Sequence, residues 1–270
     1  MELSFTKMNG AGNDFVLLDN RSGALQLSRE QIARICDRHR GVGADGLLLV
    51  ESPANASDFR MRYYNSDGGE AEMCGNGARC FTRFALSLQA DADSATSFET
   101  EAGVIQARLI GAQVELEMSE PHSLAAATEL EVNGRSLTVH FINTGVPHAV
   151  VFVDDLEAVD IKKDGAAIRY HGHFAPKGTN ANFVQVLAPG QIRIRTYERG
   201  VEDETLACGT GVVACSLIHY LRDGAASPIS VQVRGGDTLQ VGFQASSGKF
   251  QHVTLLGPAD FTFQGTIRVE

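Results

Sequence analysis

The chain has 270 residues, 43% of them hydrophobic and 21% charged, with 23 basic against 33 acidic residues and a net charge of -10. That much apolar surface excludes a disordered chain, the length allows one large or two modest domains, and the acidic balance counts against nucleic acid as a partner. Trp is absent and aromatic residues make up only 7%, so the core is expected to be largely aliphatic.

In chain order, Ser28 with Gln31 makes a capping box for a helix through roughly Arg38. Phe59-Arg60-Met61-Arg62-Tyr63 alternates apolar and charged, the mark of a half-buried strand. Residues 74–88 place Ala78, Phe81, Phe84, Ala85 and Leu88 on one face of a helix. Ser97 to Thr100, Val104 to Leu109 and Val114 to Met118 read as a meander broken at Gly103 and Gly111. Asn133-Gly134 between two short apolar runs is a hairpin signal. Gln191 to Tyr197 alternates again. Residues 208–221 form a second long helix with Val212, Val213, Leu217, Tyr220 and Leu221 on one face. From Ile229 to Val269 the chain reads as short strands between Gly and Pro.

The two long helices open alike, Cys74-Gly75-Asn76-Gly77-Ala78 and Cys208-Gly209-Thr210-Gly211-Val212. Each follows an alternating strand and an acidic, polar turn. The offset, 208 minus 74 or 134 residues, is almost half the chain. This reads as a duplicated unit: one domain over residues 1–118, with a returning strand at 261–270, and a second over 119–260.

The start of the chain shows no basic segment followed by an apolar run, so no secretory leader is expected. The longest apolar run, Ala149 to Val153, is far short of a membrane span. Five cysteines is an odd count, which argues against a disulfide framework and for a reducing cytoplasm. There, cysteines are free, metal-bound or catalytic. Cys36, Cys80 and Cys215 fall inside helices and fit a core. His148, after Pro147, reads by itself as a loop histidine, and Asn9 to Asp14 by itself as a turn.

A thiol at the first turn of a helix sits among unpaired backbone N–H groups, whose positive end favours thiolate over thiol. The backbone N–H groups of Gly75, Asn76, Gly209 and Thr210 are placed to bind a carboxylate. If the two domains pack with these ends facing, two thiols flank one cleft. Inverting a carbon next to a carboxylate needs a base on one face and an acid on the other, and two such cysteines supply both without metal or cofactor. Zinc binding is the rival reading, but Cys74/Cys80 and Cys208/Cys215 lack the usual close pairing, and His171-Gly172-His173 is a weak ligand pair. A Cys74–Cys208 redox switch is the second rival.

Lys7 to Phe15, Asn65-Ser66-Asp67-Gly68 leading to Cys74 to Cys80, Gly145-Val146-Pro147-His148, Gly178-Thr179-Asn180, and Glu198-Arg199-Gly200 leading to Ala207 to Gly211 closely resemble the diaminopimelate epimerase family. The match runs in motif order over nearly the whole chain. The resemblance implies an α/β fold of the α+β type, with two pseudo-symmetric domains, each a curved, mostly antiparallel sheet around a central helix. It implies a cofactor-independent epimerase of LL- and meso-2,6-diaminopimelate, serving lysine synthesis and peptidoglycan precursors. Such an enzyme would be a cytoplasmic homodimer with no metal, nucleic-acid or membrane partner. By motif, Cys74 and Cys208 are the acid/base pair, and His148 and Glu198 tune them. Asn13, Asn65, Asn180, Glu198 and Arg199 bind substrate, and Gly75-Asn76 and Gly209-Thr210 hold the reacting carboxylate. Three positions depart from a common family pattern: Val146 where many members have Asn, Gly46 where some have Gln, and Phe263 where some have Tyr. Another two-cysteine racemase, of proline-derivative or histidine type, is the runner-up, with a thiol redox protein behind it.

Overall fold

In the computed structural model, which describes residues 1–89, 93–246 and 248–270, alternation in the sequence becomes two-faced strands. The residues divide into two units, Met1–Glu117 with Gly257–Glu270, and Met118–Leu256.

The first unit is one sheet whose neighbouring strands run Asp260–Arg268, Glu2–Gly10, Asn13–Asp19, Gly46–Glu51, Phe59–Asn65, Ala95–Thr100, Gly103–Ile110 and Gln113–Glu117. Successive pairings are antiparallel, antiparallel, parallel, antiparallel, parallel, antiparallel and antiparallel. Each parallel step needs a crossover, and each crossover carries a helix. Helix α1 (Arg29–Cys36) fills the first and α2 (Gly75–Ser87) the second.

The second unit repeats this series. Its strands run His122–Val132, Arg135–Asn143, Pro147–Phe152, Asn180–Ala188, Gln191–Glu198, Ile229–Gln232, Thr238–Ser246 and Lys249–Pro258, the last ending just past the unit boundary. Their pairings follow the same order of antiparallel and parallel steps. Helices α3 (Ile161–Arg169) and α4 (Gly209–Asp223) occupy the two crossovers. In both units a short strand, Glu70–Ala71 or Asp203–Thr205, leads into the long helix.

Period two assigns each side chain to a layer. In the first unit Val16, Leu18, Leu47 and Leu49 pack with Ile32, Ile35 and Cys36 of α1. Phe15, one residue out of step, lies instead near Gly77 of α2. In the second unit Ala149, Val151, Ala181, Phe183 and Tyr197 pack with Ile161 and Ile168 of α3. The residues out of step with these, His148, Asn180, Asn182, Thr196 and Glu198, therefore fall on the α4 side.

Most sequence-derived elements appear within a few residues of their expected ends. The Ser28–Gln31 capping box is present, but α1 stops at Cys36, because the Asp37 side chain accepts from the His39 and Arg40 N–H groups and turns the chain. Asn133 and Gly134 have φ of 52° and 75°, the two left-handed residues that a tight hairpin requires. Cys36, Cys80 and Cys215 are core residues; burial pushes the Cys36 and Cys80 thiols up to about 12 and the Cys215 thiol upward as well.

Three expectations need correction. Leu221 is 43% exposed, because α4 is buried nearly all round from Gly211 to His219 and emerges from the sheet beyond it. His148 is not a loop residue: the turn after Asn143 is so tight that a strand resumes at Pro147, with His148 wholly buried. Helix α3 was missed because Gly165 sits in its middle and lowers helix propensity. There a Cβ would lie 2.5 Å from Tyr197 Cβ, so only glycine lets α3 reach the sheet.

Candidate active site

In the first unit, Cys74 is the N-cap of α2 in extended conformation, half-buried, with no side-chain cap bond to the helix. Its Sγ therefore does not cap the first turn of the helix. Gly75 has open space around it: an added Cβ would meet nothing within 4 Å. The Asn76 side chain points inward, donating to Asn13 Oδ1 at 2.6 Å and accepting from Arg79 at 2.7 Å. Asn13 in turn donates to Asp45 Oδ2 at 2.9 Å. Asp45 and Asp14 share Arg38, and Asp14 also pairs with Lys7; these partners hold the Asp14 carboxyl down to about 2 despite its burial. Asn65 ends its strand exposed, its Oδ1 accepting from the Tyr63 hydroxyl at 2.9 Å. At Gly46 a Cβ would lie 2.6 Å from the Tyr64 carbonyl oxygen and 2.7 Å from Tyr63 Cε2. The ring of Tyr63 thus fills the space where a residue 46 side chain would begin.

In the second unit, Cys208 is the N-cap of α4, again extended and without a cap bond. It is 7% exposed and hydrogen-bonded to the Glu198 side chain. Glu198 also accepts from Thr205 Oγ1 at 2.9 Å. Burial raises the Glu198 pKa above the ordinary carboxyl value, against the pull of the Thr205 and Cys208 hydrogen bonds. Thr210 Oγ1 lies 3.6 Å from Cys208 Sγ and 2.9 Å from His148 Nε2. His148 Nδ1 lies 3.1 Å from Asn182 Nδ2, and Asn182 Oδ1 accepts from Thr196 Oγ1 at 3.0 Å. Burial lowers the His148 pKa to about 3, so the ring is neutral at physiological pH.

Asn180 ties the Pro147 carbonyl, 3.0 Å away, to the Arg199 backbone N–H at 2.8 Å. A cavity of about 540 Å³ opens beside this brace, lined by Phe141, Asn143, Pro147, Phe174, Lys177 and Arg199 among others. His171, read from sequence as a weak metal ligand, uses Nδ1 to accept from the His173 N–H, capping a short 3-10 turn.

The structure thus gathers Cys208, Glu198, His148, Thr210, Gly209, Asn180 and Arg199 in the second unit, and Cys74, Gly75, Asn76 and Asn13 in the first. Asn65 stands at the end of its strand beside Tyr63. Sequence reading missed Asn182, Thr196 and Thr205 in one unit and Asp45, Arg79 and Tyr63 in the other. Asn182 carried a signal: in Asn180-Ala181-Asn182 the period of two puts both amides on one face.

Comparison with known proteins bears out the family resemblance. The family model for diaminopimelate epimerase matches residues 5–123 and 140–260. The diaminopimelate epimerase of Aquifex aeolicus is 44% identical, with 99% of each chain covered. That of Chlorobaculum tepidum is 42% identical over 96% of this chain and 99% of its own. Among solved structures, a PhzF-family phenazine biosynthesis protein from Bacillus anthracis superposes with a TM-score of 0.73 at 16% identity, over the full length of both. A hydroxyproline epimerase from Agrobacterium vitis has a TM-score of 0.70 at 16% identity, covering 98% of this chain and 92% of its own, so the fold is shared well beyond close relatives. On the family match and the full-length similarity to curated members, the chain belongs to the diaminopimelate epimerase family.

Proposed function

We propose that this protein interconverts LL- and meso-2,6-diaminopimelate by a two-base mechanism in which Cys74 and Cys208 exchange the roles of acid and base. The observation that carries the reading is the repeated one. At the same point of both units, a cysteine stands at the N-cap of a long helix in extended conformation, its side chain making no cap bond. In one direction the thiolate of one cysteine removes the α-proton and becomes a thiol. The other cysteine gives its proton to the opposite face of the same carbon and becomes the thiolate. The carbanion between these steps places charge on the α-carboxylate, which N–H groups at Gly75-Asn76 and Gly209-Thr210 stabilise. No redox change or group transfer occurs, so the step balances without a cofactor.

Glu198, beside Cys208, receives or returns the thiol proton, and its raised pKa brings it closer to the thiol's own range. Arg199 borders the cavity and suits the distal carboxylate, with Asn65 and Asn180 reading the distal zwitterion. The same reading makes the protein a cytoplasmic homodimer supplying lysine and peptidoglycan precursor synthesis. Phe261 and Phe263, exposed at 42% and 48% on the strand Asp260–Arg268, supply apolar area of the kind a second copy buries.

The test is incubation of reduced protein with LL-diaminopimelate in heavy water. Deuterium incorporation with formation of the meso form is expected, and Cys74→Ala and Cys208→Ala should each lose epimerisation by at least about 10³-fold. Normal turnover by either variant would sink the two-base reading. Turnover of proline, hydroxyproline or histidine in place of diaminopimelate would move the substrate assignment.

A further inference from the structure

We infer that Asn182 is a positioning residue for Cys208, acting through His148 and Thr210 to aim the Thr210 hydroxyl proton at the Cys208 sulfur. The inference rests on the two-base reading only for the use made of Cys208; the hydrogen-bond chain itself stands on geometry.

The direction of the chain follows from its buried end. Asn182 is wholly buried, and its Nδ2 lies 2.9 Å from the Ala149 carbonyl oxygen. A carbonyl oxygen only accepts, so it fixes which end of the amide is nitrogen. Thr196 Oγ1, donating to Oδ1 at 3.0 Å, agrees with that orientation. The second N–H of Nδ2 points to His148 Nδ1 at 3.1 Å, so Nδ1 accepts. A neutral imidazole that accepts at Nδ1 carries its proton on Nε2. Nε2 then donates to Thr210 Oγ1 at 2.9 Å. The hydroxyl's own proton is left for a different acceptor, and Cys208 Sγ, 3.6 Å away, is beside it. A donor aimed at sulfur favours thiolate over thiol. With the opposite tautomer, Thr210 would donate to Nε2 and present the sulfur with a lone pair. Asn182 selects between these two states without touching the sulfur.

The other charged or titratable groups acting on this chain are Glu198, hydrogen-bonded to Cys208, Arg199, whose charge reaches His148, and Cys215 further along α4. None of them fixes the ring tautomer, because none bonds a ring nitrogen.

The tautomer is read directly by nitrogen NMR of protein labelled in its histidines. His148 is expected as the neutral Nε2–H form, and an Nδ1–H form would overturn the inference. The functional arm follows carbamidomethylation of Cys208 against pH in full-length reduced protein, by peptide mass spectrometry. Asn182→Asp replaces the donor to Nδ1 with an acceptor and reverses the chain, so the alkylation midpoint should rise by about one pH unit. Thr210→Val should produce the same rise, Thr210→Ser should restore the midpoint, and Asn182→Asp should add nothing in the Thr210→Val background. A folded Asn182→Asp protein with an unchanged midpoint, or a full second shift in the double variant, would refute it. Should Asn182→Asp not fold, an unchanged midpoint in Thr210→Val does the same. Loss of the two-base reading would show instead as epimerisation by Cys208→Ala, which none of these readouts uses.

Discussion

Gly211 sits so close to Asn182 that a methyl group on it would lie 2.6 Å from the Asn182 side-chain oxygen. The missing side chain lets the first turn of α4 settle onto the sheet, within reach of His148 for Thr210. Gly211→Ala must lift that turn or displace the buried amide. A loss of about 1–3 kcal/mol in stability is expected, with lower kcat, measurable by denaturant unfolding and steady-state kinetics. Gly75→Ala is the contrast. Its Cβ meets nothing, so the helix gains up to about 1 kcal/mol in propensity. The added methyl crowds the first-turn N–H groups, so KM should rise while the melting temperature holds or climbs. Loss of stability at Gly75 and none at Gly211 would contradict both halves.

Glu198→Gln keeps the size of the side chain but offers Cys208 a neutral amide in place of a proton carrier. A fall in kcat of about 10²-fold is expected. Removing the negative charge should also let Cys208 alkylate at lower pH. Stability moves the other way. The Glu198 pKa is higher folded than unfolded, so the unfolded chain ionises first and the fold loses stability as pH rises between the two values. Gln does not titrate. The variant should therefore gain on the wild type in thermal scans above that window and show no gain below it.

His148 gives a sign of its own on acidification. Its folded pKa is about 3, against an ordinary value near 6.5 for the unfolded chain. Above pH 6.5 both states are neutral and the ring contributes no slope. Below it only the unfolded state takes up the proton, and stability falls by up to about 1.4 kcal/mol per pH unit until the folded value is reached. His148→Gln should lack this component. Urea melts between pH 7 and 4.5 should show the two stabilities converging as pH falls, and parallel curves would reject the buried neutral ring.

Tyr63→Phe removes the hydroxyl that donates to Asn65 and leaves the ring edge-on to Phe15, 6.2 Å between centroids. Stability should change little. With its amide no longer oriented, Asn65 should bind substrate less well, raising KM by about threefold to tenfold at unchanged kcat. An unaltered KM would remove Tyr63 from the binding apparatus.

Both catalytic candidates and the repeat were legible in the sequence because Cys-Gly-X-Gly recurs and each copy follows an alternating strand. The hairpin at Asn133-Gly134 and the capping box at Ser28 were legible because each depends on a few adjacent residues. What stayed hidden depends on contacts between distant strands. Gly165 disguised α3, although a duplicated unit already called for a counterpart to α1 in that crossover. His148 looked like a loop residue because nothing local marks how short the preceding turn is. Its bonds to Asn182 and Thr210 join residues 34 and 62 positions away. Asn76 and Asn13 show the reverse case. Their sequence motifs stand out, yet the Asn76 amide bonds to Asn13 and the Asn13 amide to Asp45, pairings that no local pattern announces.

The strand Asp260–Arg268 pairs with Glu2–Gly10, and the amino terminus donates to the Val269 carbonyl at 2.5 Å. The second unit is continuous in the chain, whereas the first is assembled from both its ends. During synthesis the inner unit can therefore complete its sheet while the outer one waits for Asp260–Arg268 to leave the ribosome. Until then the Glu2–Gly10 edge is open to other partners. Met1 and Val269 lie side by side, so residues 1 and 270 can be joined in a circular permutant. New termini in the turn after Glu117 would give an outer unit that is contiguous and free to fold second or first.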